Sequence, residues 1–233
     1  MTIKIISFDL DDTLWPCMPT IHQAEKNLHH WYSEHFPEIT CKYSIEDLWK
    51  QRKQLFANNP HLSHNISAIR KLSLKLLAKE FNYSETKTKQ LLSKGFEKYL
   101  YERNQVTLYD EVYNVIENLS KNYILFSISN GNAKLSMTLT GLEQFFSYSH
   151  NAEASGVQKP HPKIFNEIKQ HASINYQARA DEIIHIGDDP ETDIFGAMNV
   201  GLKTIWINRE NKTWPSHLPY PDKIITDLLQ VTI

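Results

Sequence analysis

The chain has little of what usually marks a special environment. Cysteine occurs twice in 233 residues, as Cys17 and Cys41. Their spacing matches neither a metal site nor a redox dithiol, so no disulfide framework is expected, and reduced thiols in the cytoplasm are the natural reading. No apolar run approaches the roughly 20 residues needed to span a bilayer. The first residues read as a strand carrying charges, unlike a secretion signal. Net charge is only −2, so there is no basic field to attract nucleic acid or an anionic membrane, and neither is expected as a partner. Glycine is scarce, at seven residues, and several of the seven sit beside polar clusters. There are no internal repeats or low-complexity tracts. What remains is ordinary globular composition, 41% hydrophobic and 22% charged, long enough for one large domain or two smaller ones.

Against that background the opening stretch stands out. Ile3 to Phe8 is a β-branched and aromatic run of the kind buried on both faces of a sheet. It stops at Asp9-Leu10-Asp11-Asp12-Thr13. A buried strand has no packing use for three carboxylates in four residues, so they belong at its open carboxyl end, where α/β sheets bind ligands. Asp9 and Asp11 repel each other unless a cation or a shared proton relieves them. The simplest relief is a hard, oxygen-seeking ion such as Mg2+. A capped turn accounts for Asp12 and Thr13 but not for the Asp9/Asp11 pair.

From Trp15 to about Gln105 the strand signal vanishes. Apolar residues recur at helical spacing in four successive segments: Met18 to Tyr32, Ile45 to Leu55, Ile66 to Leu77, and Ser84 to Leu100. Ser44 and Asp47 form a capping-box pattern at the second. Helix then strand returns: a helix over Tyr109 to Lys121, a strand over Tyr123 to Ser129, a helix around Ala133 to Leu139, and a short strand near Phe146. Then come a helix from Pro162 to His171, a strand at Glu182 to Gly187, a helix from Ile194 to Val200 and a strand at Lys203 to Ile207. Alternation of this kind predicts a parallel sheet. The expected organisation is an α/β, Rossmann-like core over 1–15 and 106–233, interrupted by an all-helical cap over 16–105.

Each core strand ends in a polar cluster: Asp9 to Thr13, then Ser129-Asn130-Gly131, then Gly187-Asp188-Asp189-Pro190-Glu191-Thr192-Asp193. Lys159-Pro160 precedes a helix between the last two. One hydroxyl, one lysine and two acidic clusters at one sheet edge make a site for phosphate and metal. A phosphate dianion repels an anionic nucleophile, so such a site must first neutralise charge. On that chemistry Asp9 attacks phosphorus, and Asp11 protonates the leaving alkoxide and then activates water. Ser129 and Lys159 hold the phosphate oxygens.

Asp9-x-Asp11-x-Thr13, Ser129, Lys159 and Gly187-Asp188-x4-Asp193 resemble the four ordered motifs of the haloacid dehalogenase superfamily. The helical insert resembles its type-one cap. Phe8 to Trp15, Arg103-Asn104, Ser129 to Asn132, Lys159-Pro160 and Ile184 to Trp206 are further similar to its bacterial flavin-pathway phosphatases. The resemblance implies Mg2+ as cofactor, with Asp9, Asp188 and the main-chain carbonyl of Asp11 as ligands, and Asp193 acting through water or by orienting Lys159. Asp189 is a local departure, a carboxylate where many relatives carry a small polar residue, and is expected beside Asp193 in a supporting layer. It also places Thr13 and Asn130 among the phosphate-binding residues. The implied partner is a small phosphorylated metabolite, a ribitylaminouracil phosphate or FMN. Sugar phosphates and nucleoside monophosphates are the alternative substrates. Carbon–halogen hydrolysis and a non-enzymatic aspartyl-phosphate signalling module are the competing functions. Asp11 counts against the first, because a halide needs no proton. Length and the helical insert count against the second.

Several residues read as structural. His185 lies within a predicted buried strand and reads as a hydrogen-bonded core residue. His61-x-x-His64 follows Pro60 without further ligands and reads as a solvated turn. Cys17 lacks an activating base. Trp15 serves either packing or the mouth of the site.

Overall fold

The computed structural model describes residues 2–233. The chain forms two compact units. One takes in the chain up to Pro16, Thr107–Ser136 and Thr140–Ile233; the other takes in Cys17–Val106 and Met137–Leu139.

The first unit is built on a six-stranded sheet: β1 (Ile5–Phe8), β2 (Ile124–Ser129), β3 (Phe146–Asn151), β4 (Ile183–Gly187), β5 (Lys203–Ile207) and β6 (Lys223–Ile225). Their order is β3-β2-β1-β4-β5-β6, and every pairing is parallel. All four residues of β1 are buried, as expected of a central strand with helices on both faces. The chain runs outward from β1 through β2 to β3, then returns to lay β4 on the other side of β1. The order therefore reverses between β1 and β4, which is where a doubly wound sheet opens its ligand crevice. Asp9 leaves β1 and Asp188 leaves β4 at that point. A main-chain hydrogen bond from Asp9 N–H to Ile186 C=O, 2.8 Å, keeps the two strand ends together.

The second unit is helical. It contains α1 (Cys17–His35), α2 (Pro37–Lys42), α3 (Ile45–Asn58), α4 (Ile66–Glu80), α5 (Glu85–Gln90) and α6 (Phe96–Arg103). A π-turn over Leu91–Gly95 joins α5 to α6. These last form one continuous rod, so there are four long helical segments, and α2 adds a short one opened by Pro37. The capping box is present: Ser44 and Asp47 bond reciprocally at the start of α3. Ala24, Leu28, Tyr32, Leu48, Leu74, Leu77 and Tyr99 are among the residues of its apolar core.

The remaining helices of the α/β unit are α7 (Val112–Ser120), α8 (Ala152–Ser155), α9 (Pro162–Tyr176) and the short α10 (Gly196–Met198). Ile164, Phe165, Ile168 and Ala172 of α9 pack on Ile5, Phe126, Ile128 and Ile183 of the sheet. Each fully buried side chain of this size contributes about 1.5–3 kcal/mol. Two expectations need correction, and one strand was not expected. The stretch from Ala133 to Leu139 holds only a 3-10 turn, Leu135–Met137; serine and threonine, at Ser136 and Thr138, are weaker helix formers than the apolar spacing suggests. The helix expected from Ile194 begins earlier, as a π-turn at Pro190–Phe195. Strand β6 is only three residues long, too short to show a period in the sequence.

Candidate active site

β1 delivers Asp9 to the crevice almost wholly buried, at 5% exposure. Asp12 then takes a left-handed conformation, φ 59°, which aspartate tolerates better than most residues. The turn closes through Leu14 N–H to Leu10 C=O, 2.8 Å, and Asp12 N–H to Trp15 C=O, 2.7 Å. Trp15 is fully buried, and its indole N–H donates to Asp11 Oδ1 at 2.8 Å. Packing and orientation of Asp11 are thus one role for this tryptophan. The Thr13 hydroxyl, expected on the phosphate, is instead turned to Asp188 Oδ1, at 3.5 Å.

The loop after β2 brings two further residues. Ser129 Oγ accepts the Gly131 N–H at 2.9 Å, which leaves its own proton available to a ligand oxygen. The Asn130 carboxamide is committed: it accepts from Lys159 N–H at 2.7 Å and donates to Lys159 C=O at 3.1 Å. Its main-chain N–H is the group left for a phosphate. What Asn130 does is seat the backbone of Lys159. The Lys159 ammonium is 2% exposed and reaches Asp9 Oδ1 and Asp193 Oδ1, both at 2.5 Å, and Ile128 C=O at 3.1 Å.

The loop after β4 divides its three carboxylates by direction. Asp189 Oδ1 accepts from Glu191 N–H, Thr192 N–H and the Thr192 hydroxyl, so it caps the π-turn. Asp193 is turned back beneath the strand end: Oδ2 accepts Asp189 N–H at 3.1 Å, and Oδ1 meets Lys159 and lies 3.4 Å from His185 Nε2. The other His185 nitrogen faces Ser7 Oγ at 3.1 Å. His185 is a fully buried core histidine, but one that touches Asp193, a contact the sequence does not reveal. Asp188 projects forward, and its main-chain carbonyl is held by the Trp206 indole at 2.7 Å.

Carboxylate oxygens of Asp9, Asp188 and Asp193 all lie within 4.8 Å of one another. Three carboxylates face one lysine, and the imbalance falls unevenly. Burial pushes Asp193 up, but Lys159 and His185 hold it far below the usual carboxylate range. Burial would lower Lys159, yet Asp193 and Asp9 hold it above the ordinary lysine range. Asp9 is raised well above its ordinary value, first by burial and then by Asp193 and Asp188, despite Lys159. Asp188 is raised to about 7 by burial and by Asp193 and Asp12. The two raised groups are those short of positive charge. Oxygen donors with a deficit of positive charge fit a hard divalent cation.

Fold and centre together define an α/β enzyme working at the carboxyl edge of a parallel sheet. The family model of the haloacid dehalogenase-like hydrolases matches residues 3–201, and the chain belongs to that family. The Escherichia coli K12 5-amino-6-(5-phospho-D-ribitylamino)uracil phosphatase YigB is 27% identical over 220 residues, 93% of this chain and 90% of the relative. The glyceraldehyde 3-phosphate phosphatase of Pyrococcus furiosus is 28% identical over 238 residues, 98% of this chain and 91% of the relative. Among solved structures, a 2-haloacid dehalogenase from Pseudomonas syringae pv. Tomato DC3000 superposes with a TM-score of 0.87 at 36% identity, over 98% of this chain and 96% of that one.

Proposed function

We propose that the protein is a phosphoric monoester hydrolase acting through an aspartyl-phosphate, with 5-amino-6-(5-phospho-D-ribitylamino)uracil or FMN as substrate. The observation that carries the reading is the asymmetric holding of Asp9. Lys159 engages Oδ1, which leaves Oδ2 as the attacking atom. Asp9 Oδ2 bonds to phosphorus as the ester P–O bond breaks, and Asp11 gives its proton to the departing alkoxide. Asp11 then takes a proton from water as that water attacks the acyl phosphate, releasing phosphate and restoring the Asp9 carboxylate. Ser129 and the neighbouring main-chain N–H groups bind the non-bridging oxygens. Asp9, Asp188 and the Asp11 carbonyl are the residues that would hold Mg2+, which supplies charge neutralisation of the phosphoryl group.

The substrate choice draws on YigB, which matches along nearly its whole length. The glyceraldehyde 3-phosphate phosphatases keep sugar phosphates as the alternative. A dehalogenase reading follows from the likeness to the Pseudomonas syringae 2-haloacid dehalogenase. It leaves the Asp9–Asp188–Asp193 cluster and the Trp15–Asp11 hydrogen bond without a task, since halide departs unprotonated and needs no cation.

The test is phosphate release from the ribitylaminouracil phosphate, FMN, sugar phosphates and nucleoside monophosphates, with Mg2+ and with chelator, beside halide release from 2-chloropropionate. Mg2+-dependent preference for the first two is expected. Halide release without phosphate release would overturn the reading.

A further inference from the structure

The turn that carries Asp9, Asp11 and Thr13 is held from outside by a residue that belongs to none of the four motifs. Arg209 lies two positions past β5. Its guanidinium grips the Thr13 carbonyl with two N–H groups, Nη2 at 2.9 Å and Nε at 3.3 Å. Nη2 also donates to Glu111 Oε1 at 2.7 Å, and the same oxygen lies 3.4 Å from Leu228 N–H. The guanidinium carbon lies over the Tyr109 ring, 3.8 Å from its centroid. Tyr109 in turn donates its main-chain N–H to the Leu14 carbonyl at 3.2 Å. Two successive carbonyls of the turn, Thr13 and Leu14, are thereby tied to one bracket made of Arg209, Glu111 and Tyr109. Arg209 and Glu111 side chains are each 13% exposed.

The arrangement matters because the turn is not a relaxed one. Asp12 sits at φ 59°, and a non-glycine residue stays in that region only where its surroundings over-determine it. Thr13 faces two ways: its hydroxyl is turned to Asp188 and its carbonyl to Arg209. Rotation of the Thr13–Leu14 peptide would break the Arg209 contact and disturb the turn that sets the separation of Asp9 and Asp11. A lysine cannot replace this grip, because it is a single point of charge with no rigid fork.

We propose that Arg209, seated by Glu111 and Tyr109, is the positioning residue that keeps Asp11 in register with Asp9 for proton transfer to the leaving group. This rests on the phosphatase reading above. It makes a particular demand: the loss should fall on the step in which Asp11 acts.

The experiment compares wild type with R209A, R209K and E111Q on two esters, p-nitrophenyl phosphate and glycerol phosphate. The first has a leaving group stable as an anion; the second needs a proton. For R209A, kcat/KM on glycerol phosphate, which reports phosphoryl transfer and not the later hydrolysis of the acyl phosphate, should fall about 100-fold, the scale expected of a 1 Å misplacement. The fall on p-nitrophenyl phosphate should be about tenfold smaller, since general acid catalysis matters less there, with KM for both esters little changed. R209K and E111Q should each show the same leaving-group bias to a smaller extent. They also keep the test decisive if R209A fails to fold. An equal loss of kcat/KM on both esters, or an unchanged kcat/KM with only a lowered melting temperature, overturns the proposal. Wild-type turnover in D9N would instead overturn the underlying phosphatase reading, whatever Arg209 does.

Discussion

The Asn130 side chain and the Lys159 peptide are bonded in both directions, Oδ1 to N–H at 2.7 Å and Nδ2 to C=O at 3.1 Å. The loop after β2 therefore sets the position of an ammonium presented by a segment 29 residues further on. Asn130→Asp keeps the acceptor but sets a carboxylate against the Lys159 carbonyl. Asn130→Ala removes both bonds. Both variants should lower kcat by about 10- to 100-fold, on the scale of a misplaced charge-stabilising group, with Asn130→Asp the worse. Activity equal to wild type in Asn130→Ala would show that the Lys159 segment needs no such seat.

Gly187 is required by the way Asp193 folds back. A methyl at Gly187 would meet Asp193 Cγ at 2.4 Å, so Asp193 must move and release Lys159. Gly187→Ala should destabilise the protein by about 1–3 kcal/mol and also cut turnover by more than tenfold. Thermal melts and steady-state rates on the same preparation check it. Intact turnover with a normal melt would mean that Asp193 can shift without consequence.

In the helical unit Glu25, 4% exposed, lies against Arg70 and, at 2.7 Å, against Arg52. Burial pushes the Glu25 carboxyl up, but the two guanidiniums hold it below its ordinary value of 4.5. A carboxyl depressed in the folded state contributes its full stabilisation above 4.5, and loses it as pH falls through the depressed value. The melting temperature should therefore drop as pH is lowered below 4.5, and Glu25→Gln should flatten that part of the profile. At neutral pH the same variant leaves two buried guanidiniums without their carboxylate, at a cost of about 3–5 kcal/mol. A melt at neutral pH indistinguishable from wild type would refute this account of the cluster.

Trp15 holds Asp11 by one hydrogen bond of 2.8 Å. Trp15→Phe keeps an aromatic ring in a fully buried position but removes the donor. Turnover should fall several-fold, on the scale of one lost hydrogen bond of about 0.5–1.5 kcal/mol. An ester with a poor leaving group should suffer more than p-nitrophenyl phosphate. The rate ratio of the two esters is the measurement, and an unchanged ratio would assign Trp15 to packing alone.

Much of this was legible in the chain. A β-branched run has only one reason to end in Asp9-Leu10-Asp11, and repeated strand–helix alternation has only one common sheet solution. Asp9 and Asp188 draw attention because each follows a buried strand with a carboxylate that packing has no use for, and Lys159 only through its order among the other polar clusters. The serine and threonine-rich stretch near Leu135 misled, since its apolar spacing suggests a helix that those residues disfavour.

What the sequence by itself determined is therefore the class of chemistry: carboxylates and a lysine gathered at one sheet edge, with a helical insert after the first strand. The division of labour was decided only by the tertiary structure. Asp188, Asp189 and Asp193 are chemically identical and almost adjacent, and a π-turn sends one forward, one onto its own N–H groups and one back to Lys159. Arg209 lies 196 positions from Thr13. No spacing rule reaches that far, because the contact exists only once β4 and β5 have been laid beside β1.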